Sequence, residues 1–84
     1  MDAPRISSVQ ALGNHKLLVR FVNGVAKTYD CAPLLRLEAF RWLDNDAFFK
    51  SVRVDPGGYG ISWSDETDLS EHELWSNGVE VVTA

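Results

Sequence analysis

The chain predicts an α+β fold: an antiparallel sheet of four to five strands, one main helix packed on it, and a short C-terminal helix. Three observations carry this. Asn23-Gly24 stands between two β-rich runs, the strongest short hairpin pattern, because a type I′ turn needs positive φ at both central residues. The segment Leu34 to Leu43 is helix-favouring in composition, with an apolar residue at every third position. Ser70-Glu71-His72-Glu73 has the form of a capping box at the start of a second helix. The predicted order is strand, strand, strand, helix, strand, strand, helix, and hairpin links between most strands make the sheet antiparallel.

Arg5 to Leu12 reads as a first strand ended by Gly13-Asn14, which is turn chemistry. Leu17 to Val22 and Val25 to Tyr29 follow as the hairpin. A two-residue turn would pair Val22 with Val25, Phe21 with Ala26, Arg20 with Lys27 and Val19 with Thr28. Alternation would then place Leu17, Val19, Phe21 and Ala26 on the core face, with Arg20 and Lys27 on the other. Asp30 can cap the next element, and Pro33 suits a first helical turn, where its missing N–H costs nothing. Leu37, Phe40 and Leu43, with Leu34, mark the expected buried stripe. Trp42 lies off that stripe and is the tryptophan expected at the surface. Asp44-Asn45-Asp46 breaks the helix, and Phe48 and Phe49 return to the core.

Val52 to Asp55 and Tyr59 to Ser64 read as a second hairpin around Pro56-Gly57-Gly58, followed by a loop at Asp65-Glu66-Thr67. In the capping box the Ser70 hydroxyl should take the Glu73 amide while the Glu73 carboxylate reaches back. That helix runs to about Ser76 and stops at Asn77-Gly78. Val79 to Thr83 is β-prone and reads as an edge strand or a tail.

At 84 residues the chain is one domain, residues 1–84, near the lower comfortable size for a single core. A margin that small makes a homodimer or a stable partner an expectation. The apolar fraction of 45% argues against disorder. The single Cys31 cannot form an internal disulfide, which fits a reducing cytoplasm. No apolar run approaches the roughly 18 residues of a membrane span. Charge is divided unevenly: no Lys or Arg follows Arg53, and the seven acidic residues after it are Asp55, Asp65, Glu66, Asp68, Glu71, Glu73 and Glu80. Net charge is −4, so a polyanion is a poor partner and a basic protein a better one.

Several runs together resemble a small bacterial family, domain of unknown function 2442. They are Leu17-x-Val19-x-Phe21-x-Asn23-Gly24, Lys27-x-Tyr29-Asp30, Leu34-Leu35 with Phe40 and Leu43, Phe49-x-x-Val52-x-Val54-Asp55, Ile61-x-Trp63, and Asp68-Leu69 with Leu74-Trp75. The resemblance spans about Arg5 to Trp75 and leaves Ser76 to Ala84 outside. It implies a compact α+β domain, and it implies pairing in a two-gene unit of toxin–antitoxin type. It implies no established chemistry.

Catalytic chemistry is poorly represented. Pro56-Gly57-Gly58-Tyr59-Gly60 lacks the lysine and following helix of a phosphate loop. Cys31 has neither His15 nor His72 near it in sequence, and a buried structural thiol is the ordinary reading. The acidic cluster does not have calcium-loop spacing, and Glu71 and Glu73, two apart, fall on different sides of a helix. No catalytic residue, metal or cofactor is expected. The favoured expectation is a non-enzymatic protein-binding module, an antitoxin or accessory partner of a basic protein. Its contacts would be Asp65, Glu66, Asp68, Glu71 and Glu73, with Trp42, Trp63 and Trp75 as ring anchors. Alternatives are an inhibitor occupying the cationic groove of nucleic-acid machinery, or a small nucleic-acid binder using Arg20 and Lys27.

Overall fold

The strands divide between two antiparallel sheets. The computed structural model describes residues 3–81, and its class is α+β. Sheet A has the order β1-β2-β3-β7, from Ile6–Ala11, Lys16–Phe21, Ala26–Asp30 and Val79–Glu80. Sheet B has the order β4-β5-β6, from Arg53–Val54, Gly60–Ser64 and Thr67–Ser70. Leu17, Val19, Phe21 and Tyr29 of sheet A meet Ile61, Trp63 and Leu69 of sheet B, with Leu43, Phe49 and Leu74 closing the core. No helix among the described residues is long and apolar enough to cross a membrane.

The β2–β3 hairpin forms, but one residue out of the predicted register. Phe21 N–H donates to Val25 O at 2.8 Å and Gly24 N–H to Phe21 O at 3.0 Å, so the loop has three residues and Gly24 takes φ +89°. This is the turn-plus-left-handed-glycine loop, not the two-residue turn. Arg20 therefore pairs with Ala26 and Val19 with Lys27. A one-residue slip exchanges faces: Lys27 joins the core side with the buried Tyr29, and Ala26 moves out. Arg20 and Lys27 accordingly stand on opposite faces.

The segment after β3 is a pair of 3-10 helices, Ala32–Arg36 and Glu38–Asp44, in place of one α-helix. A period of three matches 3.0 residues per turn better than 3.6. Leu37 joins the two with extended backbone (φ −92°, ψ 133°) and is 54% exposed, so it leaves the predicted stripe, while Leu43 stays fully buried. Asp30 Oδ1 accepts from Ala32 N–H at 2.9 Å. Asn45 then caps α1 (Asp46–Lys50), accepting from Phe48 N–H at 3.0 Å, and Phe49 is buried.

Thr67 begins β6, where a loop is the expectation. Thr67 and Leu69 point inward and Asp68 outward, a two-residue alternation too short to stand out in the sequence. Ser70 caps α2 (Glu71–Asn77) by accepting from Glu73 N–H at 3.1 Å. The return half of the capping box is absent: the Glu73 carboxylate accepts instead from Tyr29 O–H at 2.8 Å and from Asn77 at 2.9 Å. The predicted final strand is present as β7 against β3, and its residues 82 and 83 lie outside the described residues.

Candidate functional site

A groove of about 1020 Å³ lies between the second 3-10 helix and the β5–β6 turn. Its geometry follows from the three-residue turn. Residues three apart stack along a 3-10 helix, so within Glu38–Asp44 Phe40 and Leu43 form one row, Glu38, Arg41 and Asp44 a second, and Ala39 and Trp42 a third. The first row holds the segment to the core through Leu43 and Phe40. The other two line the groove. Its far wall is Ser64, Glu66 and Thr67, with Phe48 beneath. The walls are tied together where the Thr67 hydroxyl donates to Ala39 O at 3.0 Å.

Trp42 is 64% exposed in this groove. A tryptophan so placed leaves a large apolar surface in water, which is the feature most enriched at binding hot spots. Three carboxylates, Glu38, Asp44 and Glu66, stand against one cation, Arg41. Asp44 also contacts His15 Nε2 at 3.2 Å, which ties the end of the 3-10 helix to the β1–β2 turn.

The other sequence-predicted contacts are dispersed. Trp63 is only 4% exposed, stacks on Phe49 with ring centroids 6.1 Å apart, and donates its N–H to Phe49 O at 2.9 Å. It is a core residue. Trp75 is half-buried, edge-on to Phe21 at 5.0 Å and beneath the Lys27 ammonium. Asp65 and Glu66 are exposed at the β5–β6 turn, and only Glu66 borders the groove. Asp68 points outward from the middle of β6. Glu71 lies at the opposite end of that strand, in a separate cavity with Arg5, Tyr59 and His72. Glu73 is turned to Tyr29. The acidic third is spread along the surface: β6 separates Glu66 from Glu71 by roughly four residues of strand, ~13 Å.

Glu38, Arg41, Asp44 and Phe48 were not singled out by sequence, although the spacing of the first three is the same period of three that marks the core row. Among the described residues no three His, Cys, Asp or Glu side chains gather as a metal site. Cys31 is fully buried, and burial, helped by Asp30, pushes its thiol up to about 12, the opposite of an activated nucleophile.

Comparison with curated proteins and with solved structures gives no match. One family pattern matches residues 6–80, reaching past Trp75 to include α2 and β7. With nearly the whole chain covered, the protein belongs to the family described as Protein of unknown function (DUF2442).

Proposed function

We propose that this domain is a protein-binding module that seats a basic segment of a partner in the Trp42 groove. The observation that carries the reading is Trp42 itself, 64% exposed in a cleft whose carboxylates outnumber its cations. An arginine or lysine side chain can lie on an indole face while its charge meets Glu38 or Glu66, and such stacking contributes about 0.5–2 kcal/mol depending on desolvation. This keeps the expected basic partner and moves its contacts from the whole acidic third to Trp42, Glu38, Glu66 and the adjoining Asp65. Covering a basic surface is what an antitoxin or accessory half of a two-gene pair would do. Arg20 and Lys27, the bases of the nucleic-acid alternative, occupy opposite faces of sheet A, which favours the groove reading.

The test is capture from the host with nuclease treatment, run in parallel with the wild type and with Trp42→Ala and Glu66→Gln. One stoichiometric basic protein, retained by the wild type and lost from both variants, with a steep fall in affinity as salt rises, is the expected result. Equal retention by all three would overturn the reading.

A further inference from the structure

Sheet A turns one face to the core and the other to solvent. On the solvent face, register aligns Leu18 with Thr28 and Thr28 with Val79, and Val79 is 68% exposed. Val81 continues this apolar side, its N–H donating to Ala26 O at 2.9 Å, and is 39% exposed. At one end of the face Lys16 stands opposite Asp30. Among the described residues neither forms an ion pair within the chain.

From this arrangement we infer that the solvent face of sheet A binds the same face of a second copy of this chain. The register selects the symmetry. A two-fold axis parallel to the strands, passing between β2 and β3, lays β2 of one copy over β3 of the other at an unchanged level along the strand. Leu18 then covers Thr28 of the second copy, and Lys16 covers Asp30, each contact made twice. A two-fold axis across the strands would instead set Lys16 over Arg20, like charge on like. The first operator leaves the strands of the two sheets aligned, the common way for sheets to stack, at a spacing of ~10 Å. The inference does not depend on the groove reading, because the groove lies on other elements.

The test is sedimentation equilibrium on the full chain. The wild type is expected to dimerise, and Leu18→Glu to be monomeric with an unchanged circular dichroism spectrum. Lys16→Asp and Asp30→Lys should each weaken self-association at least tenfold, since each sets like charges together across the dyad. Mixed one to one, they should associate with each other, because both contacts in the mixed pair join opposite charges. Asp30→Lys also removes an acceptor from Ala32 N–H; if that variant does not fold, Leu18→Glu decides alone. A wild type still monomeric at roughly millimolar concentration, where even weak association would register, overturns the inference. So does a dimer indifferent to Leu18→Glu, or a folded mixed pair that stays apart.

Discussion

The Lys27 ammonium lies 3.9 Å from the centroid of the Trp75 indole ring and donates to the Trp75 backbone carbonyl. A cation on the core side of a sheet is held here by a ring face, a carbonyl and its own apolar stem packed beside Gly78. Lys27→Ala removes all three and should cost about 2 kcal/mol; Lys27→Met keeps the stem and should cost about 1 kcal/mol. Urea midpoints of the two variants against the wild type check the order. A cost for Met equal to that for Ala would mean that the charge, and not the packing, accounts for the whole effect.

Two buried acids make stability sensitive to alkali. Burial raises the Cys31 thiol from 9.0 to about 12, and burial followed by the hydrogen bond to Glu73 raises Tyr29 above its ordinary 10.0. A group raised in the folded state contributes fully below its unfolded value and loses that contribution as pH climbs toward the folded one. Stability should therefore hold to about pH 9 and then fall, by at most ~1.4 kcal/mol per pH unit for each group. Cys31→Ala should flatten the first part of the decline and Tyr29→Phe the part beyond pH 10. Denaturant titrations across the alkaline range separate the two.

Trp63 and Trp42 should respond oppositely to substitution. Trp63→Phe leaves the buried Phe49 carbonyl without its donor and opens a gap beside the stacked ring, so a loss of roughly 2–4 kcal/mol is expected. Trp42→Ala should change stability by no more than ~0.5 kcal/mol. The same variant should remove the part of the tryptophan fluorescence that iodide quenches most readily. Quenching unchanged by Trp42→Ala would place that ring out of water, against its exposure here.

Gly58 has φ +78°, and a Cβ there would lie 2.5 Å from Ile6 O. Gly58→Ala combines left-handed strain with a backbone clash and should cost more than ~2 kcal/mol. Gly13, with open space around its Cβ position, is the control: Gly13→Ala should be near neutral. Thermal melts of both variants make the comparison.

Burial periodicity and caps were legible wherever one short-range rule decided the outcome. The alternation of Leu17, Val19 and Phe21, the Ser70 cap and the exposure of Trp42 all belong here. What escaped depended on partners distant in sequence. Asn23-Gly24 fits both a two- and a three-residue loop, and the buried Tyr29 ring agrees only with the second. Thr67 reads as a loop residue until Ala39, 28 positions earlier, supplies its acceptor. The burial of Trp63 depends on an acceptor, Phe49 O, that is 14 residues away. The groove is hidden for a related reason: a repeat of three reads as the core edge of an α-helix, whereas in a 3-10 helix it also aligns Glu38 with Arg41 and Asp44.

Sheet B joins neighbours in sequence through two hairpins, whereas sheet A receives its fourth strand from the far end of the described chain. Lys27 and Trp75, which meet beside that strand, are 48 residues apart. During synthesis the β2–β3 hairpin can therefore form long before the segment that covers Phe21 and Lys27 has left the ribosome. Its apolar side stays bare over that interval, and closing so long a loop is a slow step in folding. Fragments ending before α2 are expected to be sticky, and completion of the fold waits on the last elements to be made.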